Sequence, residues 1–199
     1  MLGMFHDAGM SPFGILIATV LSVRSRDETT QRIAQDLLAH YPGPRELASA
    51  SLDDLERRIR SIGFYKVKAA RIQEIARILL QDHGGEVPPS IEALLALPGV
   101  GRKVAACVRV YAFSGNDCIP VDIHVHRISN RLGWVRTSHP DRTEQELMRI
   151  LPKAYWTVIN DVFVTHGKTL CKPQRPLCAH CPVRSVCKRV GVKKPAQTK

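Results

Sequence analysis

A chain of 199 residues, 44% of them hydrophobic, can bury a real core and suggests one or two domains. Its 29 Lys and Arg against 18 Asp and Glu give a formal charge of +11, which points to a polyanionic partner, nucleic acid before membrane. The excess is uneven: no acid follows Asp161, while nine Lys or Arg do.

The run Pro12 to Val23 is apolar enough to suggest a signal peptide, but an acid (Asp7) precedes it and Arg24 and Arg26 follow it. It is also too short to span a membrane, so it reads as a buried helix of a soluble, intracellular protein. Ser25 with Glu28 has capping-box spacing, and Ile33, Leu37 and Leu38 follow on one face. Ser51 with Asp54 opens another helix, carrying Leu52, Leu55 and Ile59, with Gly63 as its stop. A longer helix runs through Ile72, Ile75, Ile78 and Leu79 to Gly84-Gly85, and Ser90 begins a short one with Leu94 and Leu95.

Next comes Leu97-Pro98-Gly99-Val100-Gly101-Arg102-Lys103, which reads as helix, tight glycine turn, helix. Pro98 ends the preceding helix, because proline removes a donor and clashes within one. Gly99 and Gly101 allow left-handed turn angles and bring the backbone close to whatever it meets. The amides from Gly101 to Lys103 open the second helix, and a helix N-terminus attracts phosphate without reading a base. Beyond a loop at Ser114 to Asp117 lies Val121-Asp122-Ile123-His124, where Asp122 is set to begin a helix and cap it. Thr143 with Glu146 is expected to cap a further helix that stops near Pro152. Trp156 to His166 supplies the last regular apolar segment, and the tail from Lys193 has no packing face. The chain reads as all-α.

Six cysteines are present, and Cys171, Cys178, Cys181 and Cys187 crowd together as C-x6-C-x2-C-x5-C. Four thiols so close suit a metal centre better than a disulfide scaffold. Spacing alone leaves zinc and an iron–sulfur cluster both open, since structural zinc sites usually pair two C-x2-C hooks and this is no ferredoxin pattern either. Cys107 sits on an alanine- and valine-rich helix and reads as a small core residue.

Three motifs in one order carry a resemblance. The chain is similar to the endonuclease III-type DNA glycosylase/AP lyases of the helix-hairpin-helix superfamily. Leu97 to Lys103 resembles that family's L-P-G-V-G-R-K at every position, and Val121 to His124 resembles its V-D-T-H with one change. The cysteine spacing resembles its 4Fe–4S loop, and the likeness runs from about Ser11 to Cys187. It implies two helical domains: a six-helix domain with the hairpin at 5–117, and a cluster domain at 118–199 joined by the first N-terminal residues. The active site would lie in the cleft between them.

The resemblance implies Lys103 as nucleophile and Asp122 as the carboxylate that assists it, with 4Fe–4S on the four late cysteines. A lysine at its ordinary pKa of about 10.4 is protonated, but the helix N-terminus and Arg102 beside it both favour the neutral amine. Gly99, Gly101 and Arg102 would grip a phosphate, and His124 would stand near the pocket. Phe64 would be an apolar wedge in the stack, though a core aromatic is the other reading. Lys172, Arg175 and Arg184 are candidate phosphate contacts. The expected partner is double-stranded DNA with a damaged base or abasic site, bound by a monomer in the cytoplasm at the nucleoid.

The activity implied is removal of damaged, oxidised pyrimidines and cleavage by β-elimination through a lysine Schiff base. A mismatch-specific glycosylase of the same superfamily and a catalytically silent DNA-binding protein are the alternatives; Lys103 argues against the first, and Lys103 with Asp122 against the second. Two departures stand out. Family members have L-S-x-Q-x-x-D where this chain has Leu21-Ser22-Val23-Arg24-Ser25-Arg26-Asp27, so Arg24 replaces the glutamine that fills the gap left by the flipped nucleotide. A guanidinium donates hydrogen bonds but accepts none, so opposite-base preference should differ. Family members also usually carry a further helix ahead of Ser11, so the cluster domain is expected to be smaller or differently covered.

Overall fold

The computed structural model describes residues 9–25 and 27–192. Among these every regular element is helical. The expected roles of the first N-terminal residues, of Asp7 and Arg26, and of the tail from Lys193 lie outside the described residues. The chain divides into two compact units, Met1–Gly115 and Asn116–Lys199.

The first unit is built around α1 (Pro12–Ser22), which Ser11 caps by accepting the Gly14 amide at 3.2 Å. Every residue from Phe13 to Leu21 is buried, which explains why this run is apolar all round rather than on one stripe. It packs on α2 (Asp27–His40), α5 (Tyr65–Asp82) and α7 (Arg102–Phe113). The shorter α3 (Pro44–Ser49), α4 (Leu52–Ile59) and α6 (Ile91–Ala96) close the unit. No described helix is long and apolar enough to cross a membrane.

Local signals succeed and fail for physical reasons. Ser51 and Ser90 cap α4 and α6 through the amides of Asp54 and Ala93, as their spacing predicts. Ser25 does not open α2, which starts at Asp27; its hydroxyl instead accepts a hydrogen bond from Lys68. Gly63 does not stop α4, which ends at Ile59. The left-handed residue in that connection is Phe64 (φ 60°), directly ahead of α5.

The second unit holds α8 (Ile123–Leu132), α9 (Pro140–Ile150) and α10 (Ile159–Thr169) around Ile119, Val121, Val125, Val135, Leu147 and Ile159. Thr143 is not a cap: it lies inside α9, buried, with its hydroxyl 2.5 Å from Thr137 Oγ1 and 2.7 Å from His126 Nδ1. His139 caps α9 instead, accepting the Asp141 amide. Burial, with His139 nearby, holds the His126 pKa below its usual value and favours the neutral ring at that contact.

Candidate active site

The glycine stretch folds as a tight turn between α6 and α7. The Val100 amide donates to the Leu97 carbonyl at 3.1 Å, with Pro98 and Gly99 as the central pair. Gly99 has φ 76°, the left-handed angle a proline-glycine turn of this kind requires at its third position. Gly101 does not use its left-handed freedom: it is extended (φ −93°, ψ 176°) and serves as the N-cap of α7 without a side-chain bond. A Cβ there would meet nothing within 4 Å, so neither backbone angle nor neighbours demand glycine. Its effect is to leave the start of α7 bare. Arg102 and Lys103 are the first two residues of that helix, both half-buried.

Arg24 and Phe64, forty residues apart in sequence, meet in the first unit. The Arg24 guanidinium carbon stands 5.9 Å from the Phe64 ring centroid. Both residues are left-handed, at φ 55° and 60°, which is unusual for large side chains and marks a held conformation. Phe64 is 63% exposed, so the alternative of a core aromatic is corrected: its ring faces outward.

In the second unit Asp122 caps α8. One carboxylate oxygen accepts the amides of His124 at 2.8 Å and Val125 at 2.9 Å. The buried Asn160 fixes the approach to that cap by donating to the Pro120 carbonyl at 2.8 Å. His124, the second residue of α8, has its Nδ1 3.0 Å from an Arg127 nitrogen. The same Arg127 side chain reaches the carbonyls of Gly167 at 3.2 Å and Cys171 at 2.9 Å. α10 approaches closely at Gly167, where any Cβ would collide with the His124 ring.

The four late cysteines all line one largely apolar cavity, together with Ile128, Leu132 and Leu170. Arg131 donates to Cys171 Sγ at 3.3 Å and to the carbonyls of Lys172 and Pro173, each at 2.7 Å. Cys187 points its thiol at the Arg131 carbonyl at 3.5 Å, and Cys181 Sγ lies 3.7 Å from His166 Nε2. Burial lowers the His166 pKa. An apolar wall with a guanidinium against sulfur fits a thiolate-held group whose negative charge needs an answering donor. Lys172, Arg175 and Arg184 are exposed on this loop, and Arg175 is left-handed (φ 51°). Sequence reading missed Lys68, Arg127, Arg131, Asn160 and Gly167. Only Gly167, a glycine inside a helix, carried a visible signal.

Residues 17–153 match the family model of the HhH-GPD superfamily base excision DNA repair proteins. The chain belongs to that superfamily. It is 49% identical over 176 residues to endonuclease III of Thermotoga maritima, covering 88% of this chain and 82% of that one. It is 39% identical over 179 residues to endonuclease III of Bacillus subtilis, covering 89% and 81%. Among solved structures, it resembles a trapped endonuclease III–DNA covalent intermediate, the estranged-adenine complex, with a TM-score of 0.85 and 38% identity. That likeness covers 90% of this chain and 84% of the other. The chain is therefore a base excision repair enzyme, a DNA glycosylase with AP lyase activity, as the endonuclease III relatives are. Its all-helical fold is that of the superfamily, and the family is generally iron–sulfur containing.

Proposed function

We propose that this chain excises damaged, oxidised pyrimidines from double-stranded DNA and cleaves the resulting abasic site through a Schiff base on Lys103. The observation that carries this most is the hairpin itself: a lysine in the first turn of α7, just past a bare glycine N-cap. The positive end of a helix favours the neutral amine of a nearby lysine, and Arg102 adds like-charge pressure in the same direction. Neutral Nζ attacks C1′ of the sugar, and the base leaves with the bonding electrons and takes up a proton. The ring oxygen then accepts a proton as the C1′–O bond opens, leaving the protonated imine. Loss of a C2′ proton expels the 3′ phosphate by β-elimination, and water releases the enzyme. A structural relative has been captured as a covalent intermediate with DNA, which supports the same course here.

Asp122 keeps a second carboxylate oxygen beyond the one its cap engages, and that charge would stabilise the positive sugar as the base departs. Extruding the nucleotide costs roughly a few kcal/mol of stacking and pairing. Phe64 would wedge into the stack and Arg24 would occupy the space left opposite the orphaned base. Gly99, Gly101 and Arg102 would hold a phosphate at the helix end, Lys172, Arg175 and Arg184 others, with His124 near the reacting sugar. Cys171, Cys178, Cys181 and Cys187 would hold a 4Fe–4S cluster, whose part is to cross-link the loop. A single zinc needs all four sulfurs at about 2.3 Å. The C-x6-C-x2-C-x5-C spacing, which resembles the family's 4Fe–4S loop, supports the cluster instead. The protein would act as a monomer in the cytoplasm, on nucleoid DNA.

Borohydride should trap the enzyme on duplex carrying an oxidised pyrimidine; absence of any adduct while base is released would remove the lysine from the chemistry. Purified protein should be brown, and Cys178→Ser should lose the visible absorbance. A colourless protein with one zinc per chain would overturn the cluster assignment.

A further inference from the structure

Lys68 is a cation that the chemistry above does not use. It sits on α5 at 4% exposure, away from any surface a phosphate could reach. Its ammonium donates to the Leu21 carbonyl at 2.8 Å, the Val23 carbonyl at 2.7 Å and Ser25 Oγ at 2.9 Å. Three N–H groups meet three acceptors, so the side chain is saturated. Two of those acceptors, on Val23 and Ser25, flank Arg24 in sequence. The backbone amide of the same lysine donates to the Phe64 carbonyl at 3.0 Å. That last bond is the first main-chain bond of α5, which any residue would make; the ammonium's own hold is on the turn at Arg24, whose carbonyl lies 3.4 Å from where a Cβ on Gly63, next to Phe64, would stand.

We propose that Lys68 is a positioning residue: its buried ammonium sets the turn that presents Arg24 against Phe64, and through that pair governs nucleotide extrusion and opposite-base choice. The proposal rests on the reading that Arg24 and Phe64 enter the duplex stack. A surface pair held only by its own contact would be free to splay, since an exposed cation–aromatic contact is weak. Orphan carbonyls at the end of α1 are instead given a charged donor, the strongest partner available to buried carbonyls. Burial pushes the Lys68 pKa down to about 8, and the three acceptors favour the protonated form that keeps all three bonds at neutral pH.

The test compares Lys68→Met, Lys68→Arg and Ser25→Ala with Arg24→Ala Phe64→Ala, and with that double variant carrying Lys68→Met. Base release is followed on duplexes with one lesion opposite each of the four bases, and 2-aminopurine opposite the lesion reports stack disruption. Lys68→Met should slow base release about tenfold or more, the scale on which small misplacements cost rate, and should flatten the opposite-base ranking. Trapping on a single-stranded abasic oligonucleotide, which has no stack and no orphaned base, should change by less than about twofold. Lys68→Arg should restore part of the ranking. In the Arg24→Ala Phe64→Ala background Lys68→Met should add less than about twofold, because the pair it positions is gone. If Lys68→Met proves unstable, Ser25→Ala, which removes one acceptor, should shift the ranking the same way by a smaller amount. An unchanged ranking in both Lys68→Met and Ser25→Ala, or an undiminished effect of Lys68→Met in the double background, overturns the positioning role alone. If Arg24→Ala Phe64→Ala itself leaves ranking and stacking unchanged, the stack-entry reading fails and the positioning role with it.

Discussion

Arg24 stands where endonuclease III-type sequences carry a glutamine, and the difference is chemical rather than steric. An amide can donate and accept at once, whereas a guanidinium donates only and stacks on an aromatic face, as Arg24 does over Phe64. Bases opposite the lesion that offer acceptors, guanine above all at O6 and N7, should therefore be favoured by the native residue. Arg24→Gln should change the ranking of opposite bases more than it changes affinity for an abasic duplex. An unchanged ranking with a general loss of affinity would reduce Arg24 to a phosphate contact. The substitution was plain in the sequence, but the partnership with Phe64 was not. Nothing in a linear pattern brings residues 24 and 64 together, and the ammonium that bonds on both sides of Arg24 comes from Lys68, 45 residues beyond Val23.

At the scale of elements, α8 carries Asp122 at its cap and is held to α10 and the cysteine loop by Arg127. The close approach of α10 depends on Gly167, because a methyl group there would strike the His124 ring. Gly167→Ala should lower stability by about 1–3 kcal/mol, the usual cost of overpacking, and displace His124 from Arg127. An unaltered Tm with the ring in place would show that the two helices are free to separate at little cost. Elements with strong local signals were legible: the serine caps at Ser51 and Ser90, the all-apolar α1, and the proline–glycine turn ahead of α7. Signals failed where a distant partner outbid the local one. Ser25 gives its hydroxyl to Lys68, and Thr143 is taken by His126 and Thr137, so neither acts as the cap its spacing suggests. Which of the two turn glycines uses its freedom was not legible: Gly99 bends left-handed and Gly101 is extended.

For the whole molecule, a charge of +11 makes phosphate neutralisation the dominant and sequence-blind part of binding. On the function proposed, the exposed cations of the cysteine loop would belong to that contribution, and Arg131 bonds the carbonyls of Lys172 and Pro173 on the same loop. Arg175→Ala should weaken binding to damaged and undamaged duplex about equally and lower the salt slope by about one. A loss confined to one lesion would mean that Arg175 reads the site. Charge made nucleic acid visible in the sequence, and the cysteine spacing pointed to the metal centre proposed above. The donors that bond the cysteine loop at Cys171, Arg127 and Arg131, act across 44 and 40 residues and left no local pattern. The central claim is that Lys103 is the nucleophile, and the decisive measurement is the rate of base release by Lys103→Gln on a lesion duplex to which it still binds. Base release and borohydride trapping should both fall to background while duplex affinity stays near wild type, because on this account the hairpin would grip through its backbone. Base release at near the wild-type rate would make water the nucleophile and contradict the covalent lysine mechanism.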